Sequence, residues 1–183
     1  MKGEVILILG GTRSGKSEFA QKLARGRKVL FVATAEPEDA EMRERIEEHK
    51  RRRPSEWATL EAGRELVSKI ESKIRDFDLI IIDCLTLFLA RFIKKANGEE
   101  LEEEEALSEI KKLISLIKSS SQSFILISNE MSMGVVPQAH LARRFLDLQG
   151  RVNQMLAECA DRVYLMIAGI PHKIKERGEG DVG

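Results

Sequence analysis

Gly10-Gly11-Thr12-Arg13-Ser14-Gly15-Lys16-Ser17 is the stretch that decides the fold of this chain. It fills the pattern G-x-x-x-x-G-K-[ST], and its flanks suit it. Before it, Val5-Ile6-Leu7-Ile8-Leu9 is a short unbroken apolar run, the mark of a strand buried on both faces. After it, Phe19, Ala20, Leu23 and Ala24 recur at helical spacing. Strand, glycine loop and helix together aim backbone N–H groups and a helix N-terminus at one point, where a polyphosphate is held. Lys16 is then expected to reach the β- and γ-phosphates, and the Ser17 hydroxyl to ligate Mg²⁺. The expectation is a chain that binds a nucleoside triphosphate.

The rest of the chain repeats the alternation that this stretch begins. Further short apolar runs lie at Val29–Ala33, Leu79–Ile82, Phe124–Ile127 and Val163–Ile167. Between them helical periodicity covers about Pro37–Arg52, Glu61–Arg75, Leu85–Lys95, Leu101–Ser119 and Gln138–Cys159, and the helix after the glycine loop runs to about Gly26. Such an order predicts the α/β class: a P-loop, RecA-like domain with a mainly parallel sheet and helices on both faces. With 183 residues and neither repeat nor linker, one domain over 1–183 is expected, its polar tail from about Lys175 frayed.

Composition narrows the partners. The 30 basic and 30 acidic residues cancel, so no global field favours nucleic acid or an anionic membrane. The apolar runs are too short to span a bilayer, and the first of them, part of the glycine-loop strand, is not expected to be a signal peptide. Cys84 and Cys159 read as reduced thiols, so a cytoplasmic location is expected.

Three further features bear on chemistry. Leu79-Ile80-Ile81-Ile82-Asp83 ends an apolar strand on a carboxylate, the place from which an acid helps to hold Mg²⁺ in P-loop proteins. Asp83 also suits the N-cap of the helix that follows, and the two roles are compatible. Thr86 is a weaker candidate for a hydroxyl near the phosphates, and Cys84 reads as a buried filler. Glu99–Glu105 reads as a helix start whose carboxylates suit the positive end of the dipole. Finally, His49 precedes the cations Lys50, Arg51, Arg52 and Arg53. From composition this is an exposed, charged helix end. The functional reading is a neutral imidazole attacking a phosphate that the cations neutralise.

Taken together, these stretches resemble the bifunctional adenosylcobinamide kinase / adenosylcobinamide-phosphate guanylyltransferase family. The resemblance is carried by the glycine loop, Ala33-Thr34-Ala35, Asp39-Ala40-Glu41-Met42, Arg45-Ile46-x-x-His49, Arg53-Pro54-x-x-Trp57-x-Thr59-x-Glu61 and Asp83-Cys84-Leu85-Thr86. It continues through Asn129-Glu130, Met133-Gly134-Val135-Val136-Pro137, Leu141-Ala142-Arg143, Gly150-Arg151-Val152-Asn153-Gln154 and Ala160-Asp161. Ser132 and Arg91 stand where the family usually has Gly and often Asn.

The resemblance implies ATP and GTP as substrates, Mg²⁺ as cofactor, and adenosylcobinamide and its phosphate as acceptors. His49 would carry the guanylyl group. Thr34, Ala35, Lys50 to Arg53, Glu61 and Asp83 would lie near the nucleotide. Glu61 is suited to accept from guanine N1–H and N2–H, with the capping of a following helix as its other reading. Homologues assemble as trimers, so a homo-oligomer is implied. The rival functions are a plain small-molecule kinase with His49 on its surface and a non-catalytic nucleotide-binding module.

Overall fold

Residues 3–36, 39–94, 100–131 and 133–176 are described by the computed structural model. Six parallel strands and one antiparallel edge strand make up its main sheet. β1 (Val5–Gly10) leads through the glycine loop into α1 (Lys16–Leu23) and back to β2 (Val29–Ala33). α2 (Ala40–Arg52) precedes β3 (Ala58–Glu61), and α3 (Leu66–Glu71) with a short 3-10 turn precedes β4 (Leu79–Asp83). After α4 (Leu85–Ala90), β5 (Ile93–Lys94) and β6 (Glu100–Leu101) form a small antiparallel ribbon. α5 (Glu103–Ser119), β7 (Ser123–Ile127), α6 (His140–Cys159), β8 (Arg162–Ile167) and β9 (Ile170–Lys175) complete the chain. The strand order is β3-β2-β4-β7-β1-β8-β9, with every pair parallel except β8–β9.

Successive side chains of a strand point to opposite faces, and β1 serves two cores in this way. Val5, Leu7 and Leu9 join one core with residues of α3, α4, α5 and α6, such as Leu66, Phe88, Ile110 and Val152. Ile6 and Ile8 join the other, with Ala20 and Ala24 of the α1 segment and Trp57. The covering is lopsided: four helices on the first face, α1 on the second. The N-terminus of β1 is pinned by the Asp161 carboxylate, which accepts from the Val5 N–H at 2.9 Å, while the Asp161 N–H donates to the Val5 carbonyl at 2.8 Å.

All five apolar runs are strands, and the differences lie in half-buried segments. The helix expected from Glu61 is instead strand β3, extended to Glu61, followed by a helix only from Leu66. Ala58 and Leu60 face the core while Thr59 and Glu61 face solvent, the alternation of an edge strand. The role of capping α3 belongs to buried Glu109 of α5, whose carboxylate accepts from the Val67 N–H at 3.1 Å. Glu61 therefore caps nothing.

The helix expected to Lys95 stops at Ala90, where Phe92 turns inward against Phe88, ring centroids 5.4 Å apart. β9 was missing from the pattern because it is an exposed edge. Its Pro171 lacks an N–H, which an edge strand tolerates. Lys175, expected in a frayed tail, lies in that strand and donates to the Ala157 carbonyl at 2.8 Å. Residues 177–183, Pro37, Glu99 and Ser132 lie outside the described residues.

Candidate functional site

The glycine loop joins β1 to α1, so it lies at the carboxyl edge of the parallel strands, where open α/β sheets take their ligands. Two glycines are required by geometry. Gly10 has φ +150°, and a Cβ there would stand 2.6 Å from the Met166 carbonyl oxygen. Gly15, the N-cap of α1, has φ +93° and would meet Gly169 at 3.2 Å. The β8–β9 turn backs the loop from below: the Gly169 N–H donates to the Ser14 carbonyl at 3.1 Å. Ser14 is buried, whereas Gly11, Thr12 and Arg13 line the exposed mouth.

Lys16 is only 8% exposed, and its ammonium donates to the Gly10 and Gly11 carbonyls at 2.9 and 2.6 Å. Across the loop, the Ser17 hydroxyl donates to Asp83 Oδ2 at 2.6 Å. Asp83 is thus brought to α1 by β4, two strands away from β1, and it does not cap α4. That N-cap position is Cys84, with no side-chain hydrogen bond. A hydroxyl beside a carboxylate is a hard oxygen pair that suits Mg²⁺, which keeps several waters and phosphate oxygens of its own. Among the described residues no group of three His, Cys, Asp or Glu gathers to cage a metal, as a site for Mg²⁺ needs no such cage. Burial, then the Asp83 charge, pushes the Cys84 thiol up to about 12, so it is a filler and no nucleophile.

Thr34 and Ala35 leave β2 at the same edge. Thr34 is buried and ties strand tips together: its N–H donates to the Asp83 carbonyl at 3.2 Å and its hydroxyl to the Cys84 carbonyl at 2.7 Å. Arg91, one of the departures from the family, clamps this exit. Its guanidinium donates to the Thr34 carbonyl at 3.0 and 2.6 Å and pairs with Glu36.

α2 then carries His49 and the cations. Its Asp39 N-cap accepts from the Met42 N–H at 2.7 Å. His49, Lys50, Arg51 and Arg52 are exposed at its C-terminal end, where cations suit the dipole. Arg52 pairs with Glu48 at 2.5 Å, and Lys50 with Glu61 at 3.6 Å. Arg53 differs from its neighbours. It is half-buried, stacked 3.6 Å over the Phe31 ring, and donates to the Thr59 hydroxyl at 2.8 Å. Burial lowers its pKa, against which the Asp83 and Glu61 charges act. Arg53, the C-cap of α2, thus lies within reach of the Asp83 charge. Buried Trp57 stacks on Phe31 as well, with centroids 6.3 Å apart, so Arg53-Pro54-x-x-Trp57 anchors the end of α2 to the sheet.

Two arrangements were not legible in the sequence. Thr86 turns inward from the phosphate side: its Oγ1 accepts from the Asn129 N–H and the Gln149 amide, each at 2.8 Å. Gln149 and Asn153 of α6 also donate to the Asn129 carbonyl, at 2.6 and 3.1 Å. Their i, i+4 spacing on an otherwise apolar face was the available signal.

A family profile described as "Cobinamide kinase / cobinamide phosphate guanyltransferase" matches residues 6–174. The Salmonella typhimurium bifunctional adenosylcobalamin biosynthesis protein CobU is 39% identical over 93% of this chain and 99% of its own length. Its namesake from Escherichia coli is 36% identical over the same shares. The Pseudomonas aeruginosa bifunctional adenosylcobalamin biosynthesis protein CobP is 40% identical over 92% of this chain and 96% of its own length. Among solved structures, the KaiC-like protein PH0186 of Pyrococcus horikoshii superposes with a TM-score of 0.54 over 90% of this chain and 71% of its own, at 17% identity. That last likeness speaks for the fold alone.

Proposed function

Since this chain belongs to the cobinamide kinase / cobinamide phosphate guanyltransferase family, we propose that it carries out both steps in sequence. In the first, ATP or GTP lies in the glycine loop and its γ-phosphoryl passes to the aminopropanol hydroxyl of adenosylcobinamide. In the second, His49 attacks the α-phosphorus of GTP, pyrophosphate leaves, and the phosphate of the acceptor takes GMP from the histidine. The product is adenosylcobinamide-GDP. The observation that carries this reading is the convergence at one sheet edge of Lys16, the Ser17–Asp83 pair and Lys50 of α2, which pairs with Glu61 at the strand end in register with Asp83.

Each group has work that suits its chemistry. Lys16 and the loop amides are oriented donors for charge that develops during transfer. Ser17 and Asp83 would hold Mg²⁺, which when bound offsets charge on the β- and γ-phosphates. Thr34, Ala35 and Lys50 to Arg53 border the nucleotide, with the guanine read by Glu61. The exposure of His49 lets it reach a bound nucleotide from α2. The same exposure would suit a plain kinase in which His49 is a surface residue.

Incubation with α-labelled GTP separates the two. The wild type should gain a base-stable, acid-labile adduct, and His49→Ala should lose it while still phosphorylating adenosylcobinamide. Label that persists in the variant would place the guanylyl group elsewhere. Location in the cytoplasm and assembly into a trimer belong to the same reading. Among the described residues no helix is long and apolar enough to cross a membrane. Exposed Met133, Val135 and Val136, with Ile167, Ile170 and Ile174, offer apolar surface for assembly, which light scattering would measure.

A further inference from the structure

The pairing of β1 with β7 continues past the end of β7. The Ser128 N–H donates to the Ile8 carbonyl, and the Glu130 N–H to the Gly10 carbonyl, both at 3.0 Å. The Gly10 oxygen is also an acceptor for the Lys16 ammonium, at 2.9 Å. Two donors therefore share the carbonyl that opens the glycine loop, one from within the loop and one from the exit of β7. Gly10 sits at φ +150° without a Cβ, so its own backbone does little to fix the plane of that peptide.

The Glu130 N–H belongs to the same planar peptide as the Asn129 carbonyl, and buried side chains hold that carbonyl. Gln149 and Asn153 of α6 donate to it at 2.6 and 3.1 Å. Thr86 of α4 holds the preceding peptide: its Oγ1 accepts from the Asn129 N–H at 2.8 Å, and also from the Gln149 amide at 2.8 Å. Thr86, Gln149 and Asn153 are 5%, 2% and 6% exposed. Their donors are used, but Gln149 Oε1 and Asn153 Oδ1 are buried and accept no hydrogen bond among the described residues. An apolar pair would leave no such acceptor unmet. What the two amides add is the orientation of the Asn129–Glu130 peptide.

We infer that Gln149 is a positioning residue of the glycine loop, acting with Asn153 and Thr86 through the Asn129–Glu130 peptide, on the reading that a triphosphate is seated in that loop. Phosphate oxygens entering the loop compete with the Gly10 carbonyl for the Lys16 ammonium. The Glu130 N–H stays on that carbonyl, because α6 clamps the other end of its peptide. The Gly10 peptide keeps its plane while Lys16 changes partners, and the N–H groups that follow stay aimed at the phosphates. Order present before the ligand arrives costs nothing at binding. The effect therefore falls on nucleotide affinity, alike in both half-reactions, and not on the chemical step.

The test uses the full chain as wild type, Gln149→Leu, Thr86→Val and Thr86→Ser. ATP and GTP affinity, KM and kcat of each half-reaction, exchange of the Glu130 amide and melting temperature are measured on each. Gln149→Leu should bind both triphosphates about three- to tenfold more weakly, with KM raised alike in both steps and kcat within about twofold. Its Glu130 amide should exchange about tenfold faster with nucleotide bound, while its melting temperature stays within about 2 °C of wild type. Thr86→Val should weaken binding in the same way, and Thr86→Ser, which keeps the oxygen, should restore it to within about twofold. Wild-type affinity and Glu130 exchange in Gln149→Leu would overturn the inference alone. So would a loss in Thr86→Val that Thr86→Ser does not rescue. A wild type that binds neither triphosphate would overturn the reading of the loop with it.

Discussion

Lys16 is held by the two carbonyls that open its own loop, so a triphosphate entering there exchanges carbonyl partners for phosphate oxygens. Lys16→Ala should therefore impair both half-reactions, by about 10²–10³ in rate, since each needs the triphosphate seated in the loop. Steady-state kinetics of each step checks this, and near-normal turnover would move the chemistry out of the loop. Glu61 makes a sharper case. It ends a strand, caps no helix and pairs with Lys50 across exposed side chains, a contact worth about 0–1 kcal/mol. Glu61→Gln should accordingly leave the melting temperature almost unchanged. If its carboxylate reads guanine, adduct formation should lose much of its preference for GTP over ATP, because an acceptor pair becomes an acceptor beside an unwanted donor. Unchanged preference would leave Glu61 as nothing more than a surface partner of Lys50.

At the scale of elements, α2 stands apart from the other helices. Of its described side chains only those of Met42 and Ile46 are half-buried, whereas α5 buries Ala106, Ile110, Leu113 and Ile117. α2 is held at its ends, by the Asp39 cap and by Arg53 and Trp57 on Phe31. Helices with few buried apolar contacts open most readily. Amide exchange should therefore be faster in α2 than in α5, and GTP should slow it if His49 closes on the nucleotide. Asp39→Ala should speed it further, as loss of the cap removes about 1 kcal/mol of helix stability. Protection of α2 equal to that of α5 would remove the reason to think that this helix brings His49 in. Motifs show the same division. Arg53-Pro54-x-x-Trp57 carries part of the family resemblance in sequence, and in the structure Arg53 and Trp57 both pack on Phe31.

Across the whole molecule, stability rests on a sheet covered on both faces. Leu7 is fully buried in the larger core, so Leu7→Ala should destabilise by about 2–5 kcal/mol. Thermal melting should fall by about 2–4 °C for each kcal/mol in a chain of this size. A fall of less than about 2 °C would contradict the packing described. The sequence by itself determined the glycine loop, the five buried strands and the α/β order. Each of these is a local rule: an unbroken apolar run, a loop with Gly10 and Gly15 at positive φ, a helical period. It also marked Asp83 and His49 as chemically interesting. Only the tertiary structure decided the strand order that sets β7 beside β1 and β4 beside β7. That order brings Ser17 to Asp83, Arg53 into the field of Asp83, and Glu130 and Lys16 onto the Gly10 carbonyl. The edge strands β3 and β9 were decided there too. Their backbones are satisfied by a neighbouring strand while their side chains stay half or wholly exposed. Residues far apart in the chain meet through hydrogen bonds and burial that no local periodicity records.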